Sequence, residues 1–183
     1  MPVLNESLVF IHEPESVQAA FVGKAARRTL LPAGLELYKF TGFDVTPGRA
    51  GAHYSPWWAA VQPLAGTPDP GLDGHVAAAR ASGLPMLTYA REAFAVMLGW
   101  NALALLQSGL AKVVRIGLTQ PVYGFGGSCQ RMREAVPAGR VVGRLNVHKS
   151  PLNPPTFRGG AYQFYVPNLT AAHLRPLGSS LIP

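Results

Sequence analysis

The stretch Leu30-Leu-Pro-Ala-Gly-Leu-Glu-Leu-Tyr-Lys-Phe40 decides the fold class of this chain. Its Pro32-Ala-Gly34 triplet is typical of a turn, because proline fixes φ and glycine tolerates positive φ. The residues after the turn alternate, with Leu35, Leu37 and Lys39 on one side and Glu36, Tyr38 and Phe40 on the other. Both sides carry large apolar groups, so the pattern predicts a strand that is partly covered on both faces.

Outward from this strand, turn residues and apolar periodicity predict an α+β order of elements rather than an alternating parallel sheet. The stretch 41–75 holds five prolines and two adjacent tryptophans, so we predict a long loop there. The other predicted elements are a helix near 15–28, helices over 76–82 and 89–107, strands over 113–119, 140–147 and 161–166, a glycine-rich turn over 122–127, and a short helix or turn after Asn168.

Length and composition are those of one globular domain. The 183 residues are 48% hydrophobic, which is ample for a core. We therefore predict a single domain over 1–183, in which 1–28 is open to interpretation as an N-terminal helical appendage.

The net charge of +7 comes from 16 basic and 9 acidic residues. A basic balance attracts phosphate-rich ligands such as nucleic acid, an anionic membrane surface or a dinucleotide. The densest basic clusters are Arg27-Arg28 and the stretch 131–144, and neither contains a run of five. A solvated basic surface is an equally good interpretation.

The sequence carries no mark of export or of membrane insertion. Cys129 is the single cysteine, so no disulfide can form within the chain. The first residues lack the charged and apolar regions of a signal peptide. The apolar stretch Ala93–Leu106 is too short to span a bilayer. We expect a protein that is made in the cytoplasm and does not span a membrane, with export by a leaderless route left open.

Three separated segments resemble those of ADP-ribosyltransferase-like toxins and NAD glycohydrolases. Leu31-Pro-Ala-Gly34 with Leu37-Tyr-Lys39 is similar to the family's first strand, where many members carry Arg in place of Lys39. Tyr54-Ser-Pro-Trp-Trp58 is similar to its second strand, which begins with Ser. Gly159-Gly-Ala-Tyr-Gln163 is similar to the late strand of tuberculosis-type NAD glycohydrolases, where Gln stands in the place of a catalytic Glu.

The resemblance implies an ADP-ribosyltransferase-like split β-sheet with flanking helices, which holds NAD as substrate and cleaves its nicotinamide–ribose bond. Such cleavage builds positive charge on the ribose, so the site needs an aromatic wall, a polar group at the ribose and a cation for the pyrophosphate. The implied catalytic residues are Gln163 and Ser55. His53 is a further catalytic candidate, for ring stacking or acid/base chemistry, because it stands beside Tyr54-Ser55. The implied substrate-binding residues are Tyr38, Lys39, Trp57, Trp58 and Tyr89, with Arg115 or Arg158 as reserve cations and Glu36, Glu92 or Glu134 as carboxylates that could enter the cleft.

Each assignment has a structural alternative. The two tryptophans could anchor the loop in the core, Tyr38 could be a packed strand residue, and Gln163 could face solvent. Hydrolysis and transfer to a protein acceptor are both open, and an immunity or other partner protein is compatible with either.

Two other classes of function remain. A basic RNase-type toxin could use His148 and Lys149 with Arg140 and Arg144, although nucleic acid is not the favoured ligand. A non-catalytic interaction or accessory protein would fit the low charged fraction of 14% and the 17 prolines. The five histidines are too dispersed to propose a metal site.

Overall fold

The computed structural model describes residues 14–41, 56–84, 86–94, 112–130, 158–167 and 169–181. In these ranges the fold is α+β, with one antiparallel sheet of seven strands and few helices. The elements are α1 (Pro14–Ala19), β1 (Arg27–Leu31), β2 (Glu36–Thr41), β3 (Trp57–Ala60), α2 (Gly71–Ser82), α3 (Met86–Ala93), β4 (Lys112–Leu118), β5 (Val122–Ser128), β6 (Tyr162–Tyr165) and β7 (Leu174–Leu181).

Strand β3 joins two groups of three strands. The strand order is β1-β5-β6-β3-β2-β4-β7. Trp57 and Trp58, the first half of β3, pair with β6, whereas Ala59 and Ala60, the second half, pair with β2. At its start β3 therefore pairs with β6 and not with β2, and at its end it pairs with β2 and not with β6.

The two faces of the sheet have different surroundings. Residues that pair directly across strands share a face, and residues two apart along a strand share it too. The inner face carries Leu37, Trp58 and Phe164. All seven strands contribute buried residues to one apolar cluster on this face, namely Leu31, Leu37, Trp58, Ala60, Val114, Ile116, Leu118, Val122, Phe164 and Leu174. Because both edge strands contribute, the sheet must curve around this core.

The opposite face, which we call the helical face, is covered by helices. Val17 of α1 and the neighbouring Phe21 pack on Tyr165 of β6. Leu72 of α2 packs with Tyr38 of β2. Both faces of β2 are thus covered, which confirms the prediction from its alternating pattern. None of the helices within the described ranges is long and apolar enough to cross a membrane.

The loop predicted for 41–75 and the turn predicted for 122–127 are wrong in part, because strands β3 and β5 lie there. The glycines of β5 make room for aromatic rings rather than a turn. A Cβ on Gly126 would lie 2.6 Å from the Cε1 of Phe164, and one on Gly127 would lie 2.7 Å from the Cδ1 of Phe21. Rings pack over the glycines from both faces, so the glycines keep β5 in the sheet.

The ends of the chain also differ from the prediction. The helix near 15–28 is limited to α1 and a short 3-10 turn at Val22–Lys24, and its last two predicted residues, Arg27 and Arg28, begin β1, which pairs with β5. After a short 3-10 turn at Ala171–His173, the C-terminal segment continues as β7. Pro176 and the extra residue Leu177 fit in β7 because the β4–β7 register shifts between Arg115 and Ile116.

Strands β4 and β6 match the predicted 113–119 and 161–166. The two predicted helices are present with other bounds: α2 starts at Gly71 rather than at 76, and α3 starts at Met86 rather than at 89 and ends at Ala93, before the described Phe94. The remainder of the predicted helix 89–107 and the predicted strand 140–147 lie outside the described residues, as does the basic group around His148.

Candidate functional site

The predicted site residues fall on both faces of the sheet. Lys39 and Trp58 lie on the inner face. Tyr38, Trp57 and Gln163 belong to the helical face, by register with Ala59, Tyr165 and Gly127. Tyr89 is on α3, and His53 and Ser55 lie outside the described residues. Lys39 and Gln163 are therefore separated by the sheet.

Lys39 is stacked on the core. Its Nζ lies 4.6 Å from the centroid of the Trp58 ring, a cation–π contact. Trp58 is 1% exposed, so its indole ring belongs to the core. Burial lowers the pKa of Lys39 from 10.5 to about 8, because a charge in an apolar environment loses hydration.

Four side chains form a buried polar cluster beside the helical face: Tyr38, Asp69, His75 and Tyr89. Nδ1 of His75 lies 2.8 Å from the Oη of Tyr89, and Nε2 of His75 lies 3.9 Å from Oδ1 of Asp69. Tyr38 is close enough to Asp69 and Tyr89 that both groups raise the pKa of its hydroxyl, in addition to the larger effect of burial. The fold therefore brings the two predicted tyrosines together, around an aspartate and a histidine that were not predicted to belong to a site.

Asp69 stands where β3 separates from β6. Its Oδ1 accepts a hydrogen bond from the N–H of Gly71 at 2.9 Å, and its carboxylate also accepts one from the N–H of Ala60. The N–H of Val61 donates to Glu36 on β2. Since N–H groups alternate along a strand, the N–H of Ala60 points toward β6. Asp69 thus takes the place of a strand partner at the division of the sheet.

The electrostatics of the cluster follow from its burial. Burial lowers the pKa of His75 from 6.5 to about 4, so the imidazole is neutral at physiological pH. Burial also raises the pKa of the Asp69 carboxyl, against the effect of its two backbone hydrogen bonds. The pKa values of the hydroxyls of Tyr38 and Tyr89 are raised by burial as well, which keeps both phenols protonated.

A second group of contacts fixes the turn that precedes Gln163. Glu92 of α3 is 5% exposed, and its Oε2 accepts a hydrogen bond from the N–H of Arg158 at 3.3 Å. The carbonyl of Glu92 accepts one from the N–H of Gly159 at 2.7 Å. Gly159 has φ +72, and a Cβ there would collide with the carbonyl oxygen of Cys129. Only glycine fits this close approach, so the turn is fastened to the end of α3.

Gln163 is half-buried and is oriented by Cys129, the residue that follows β5. Its side chain hydrogen-bonds the thiol of Cys129. Burial raises the pKa of that thiol to about 12, against the effect of this hydrogen bond. The thiol is therefore a neutral structural group, and the amide of Gln163 is held on the helical face.

Sequence reasoning missed Asp69 and His75 as members of the site. The one local signal was the turn Pro68-Asp-Pro-Gly71, in which an Asp side chain binds the backbone two residues on, as it does here. Of three candidate carboxylates, Glu92 is the one that reaches the turn before Gln163, whereas Glu36 is exposed and Glu134 lies outside the described residues. Within the described ranges, no group of three or more His, Cys, Asp or Glu residues could hold a metal ion.

Comparison of the chain with protein-family models, with curated proteins and with solved structures finds no significant match.

Proposed function

We propose that this protein is an NAD-utilising enzyme that cleaves the nicotinamide–ribose bond. One observation carries the proposal: the three segments that resemble NAD-cleaving toxins are neighbours in the sheet. Lys39 is on β2, Trp57 and Trp58 are on β3, and Gln163 is on β6. The order β6-β3-β2 is continuous, although Gln163 comes 103 positions after Ala60 in the chain. Residues that form one binding site must lie close together in the fold, and these three segments do.

The helical face is the better side for the chemistry. Tyr38 lies directly across from Arg115 of β4, so both belong to the face that carries Gln163. Glu92 meets the turn before Gln163 from the same side, through α3. Lys39 points to the inner face. We therefore assign the pyrophosphate to Arg115, whose planar guanidinium suits two phosphate oxygens better than a lysine does.

The roles follow from the charge that develops during cleavage. As nicotinamide leaves, the ribose becomes an oxocarbenium-like cation. A buried carboxylate such as Glu92 stabilises that charge, since electrostatic interactions are stronger away from water. The amide of Gln163 offers both a donor and an acceptor for the ribose hydroxyls. Water completes a hydrolysis, and a protein nucleophile in its place completes a transfer.

The test is release of nicotinamide from NAD by the purified protein. We expect release that drops at least tenfold in Gln163→Ala and in Glu92→Gln. The matched controls are Gln62→Ala and Glu36→Gln, which change exposed residues of the same types and should keep the parental rate. Intact NAD after incubation with the folded parent, with and without cell lysate as a source of acceptor, would refute the proposal.

A fifth variant, Lys39→Met, distinguishes the two faces. We expect it to retain nicotinamide release, because the Lys39 ammonium lies against Trp58 on the inner face. Arg115→Met should raise KM, because its guanidinium is assigned to the pyrophosphate. The opposite pattern would move the substrate to the Lys39 side and leave the reaction class unchanged.

A further inference from the structure

The buried polar cluster contains three polar atoms with unmet hydrogen-bonding capacity. They are the Oη of Tyr38, the Oδ2 of Asp69 and the Nε2 of His75, each buried and without a hydrogen-bond partner among the described residues. The three residues are 0%, 4% and 4% exposed. Buried polar atoms are nearly always paired in native proteins, and leaving them unpaired is costly. Three such atoms in one cluster indicate a position where a ligand completes the hydrogen bonding.

The hydrogen on the His75 ring can be placed from its surroundings. The neutral ring has one N–H. Nε2 faces Oδ1 of Asp69 at 3.9 Å, which is too long for a hydrogen bond but favours N–H at Nε2, because the dipole then points toward the carboxylate. Nδ1 accepts from the Tyr89 hydroxyl, at 2.8 Å. The cluster therefore offers an acceptor at Asp69, a donor at His75 and a hydroxyl at Tyr38.

The walls of the cluster are flat and apolar. The ring of Phe94 lies 5.0 Å from that of His75 and 6.5 Å from that of Tyr38, centroid to centroid. Phe40 completes the group, 5.3 Å from Tyr38. These rings pack on one another in edge and tilted arrangements, so a bound ligand would meet aromatic surfaces beside the three polar atoms. An anionic ligand is disfavoured, because Asp69 would repel it.

We propose that the buried polar cluster binds a primary carboxamide carried on an aromatic ring. The amide N–H would donate to Oδ2 of Asp69, its carbonyl would accept from Nε2 of His75, and the Tyr38 hydroxyl would hold the edge that remains. Tyr89, the half-buried member of the cluster, is the side of entry. The preference for an aromatic carboxamide over other paired donor–acceptor groups rests on the proposed function, since nicotinamide is such a compound.

The test is calorimetric titration of the full chain with benzamide, and with benzoate as its anionic counterpart of the same shape. We expect benzamide to bind and benzoate to bind at least tenfold more weakly. Tyr38→Phe removes a single oxygen and should weaken benzamide binding about tenfold. Asp69→Asn should weaken it further, because an amide there presents donors to a donor. Tyr123→Phe, which removes the hydroxyl of a tyrosine on β5, is the matched control and should bind as the parent does.

Circular dichroism establishes that each variant is folded before it is titrated. Absence of benzamide binding to the parent, equal binding by Tyr38→Phe and the parent, or equal affinity for benzoate would each overturn the inference. Benzamide binding together with intact NAD would uphold this site and remove the proposed reaction. Cleavage of NAD without benzamide binding would do the reverse.

Discussion

Replacing Lys39 by Met removes a charge that the fold has largely taken out of water. Lys39 lies on β2 above the Trp58 ring, and methionine offers a similar unbranched stem without the ammonium. We expect the free energy of unfolding of Lys39→Met, relative to the parent, to depend on pH in one defined window.

The size and sign of the effect follow from the lowered pKa of Lys39, which falls from 10.5 to about 8. Below pH 8 the lysine is charged in both folded and unfolded states, and the full cost of burying the charge is present. Between pH 8 and 10.5 the unfolded chain holds more protons than the folded one, so the parent gains stability as pH rises. At 1.36 kcal/mol per pH unit, the gain is about 3 kcal/mol. Lys39→Met lacks this gain.

Urea unfolding of parent and variant at intervals from pH 7 to 10.5 measures the difference directly, because all other titrating groups are common to both proteins. We expect the stability advantage of Lys39→Met over the parent to shrink by about 3 kcal/mol across that range. Lys39→Arg is the control, since a guanidinium stays charged throughout and should show no such gain. A difference between parent and Lys39→Met that stays constant with pH would refute the reasoning.

Three further predictions concern packing and titration. Gly126→Ala places a Cβ 2.6 Å from the Phe164 ring and should lower the free energy of unfolding by about 1–3 kcal/mol. Gly124→Ala, whose Cβ would meet nothing closer than 3.2 Å, should cost less in the same urea titration. His75 binds a proton at about pH 4 in the folded state and at 6.5 when unfolded, so the parent should lose about 3 kcal/mol as pH falls from 6.5 to 4. Protonation of Asp69, whose pKa is raised, stabilises the folded state in acid and so opposes this loss. In His75→Gln the free energy of unfolding should fall less between pH 6.5 and 4. A parental free energy of unfolding that stays constant over this range in urea titrations would contradict the prediction. Because burial raises the pKa of Cys129 to about 12, its thiol should react with a disulfide reagent only at the rate of unfolding, and fast labelling of the folded protein would be the contrary result.

The strands that the sequence predicts are those whose own residues carry the pattern. Around Tyr38 large apolar and polar residues alternate, and the β-branched residues of β4 mark a strand without any partner. The missed strands depend on contacts from far along the chain. Gly126 reads as a turn residue until Phe164 is known to lie over it. Trp58 reads as part of a proline-rich loop until β6 pairs with it.

The candidate site shows the same limit. Tyr38 and Tyr89 could be singled out as aromatic residues, but only the tertiary fold shows that His75 and Asp69 lie between them. Periodicity places Lys39 opposite Tyr38 on β2, yet it does not say which side faces α2. Local patterns therefore predict that β2 is a strand, but not which of its faces carries the site or which buried residues belong to it.

Where β3 separates from β6, a side chain takes the hydrogen bond that a strand would otherwise supply. On the β6 side of β3, the N–H of Ala60 is bonded to the Asp69 carboxylate rather than to a neighbouring strand. A proton on the Asp69 carboxylate, or a ligand that competes for it, would weaken this hydrogen bond without a change in the strand itself. The exchange rate of this single amide hydrogen would then report, from within the sheet, whether the Asp69 carboxylate is bonded elsewhere.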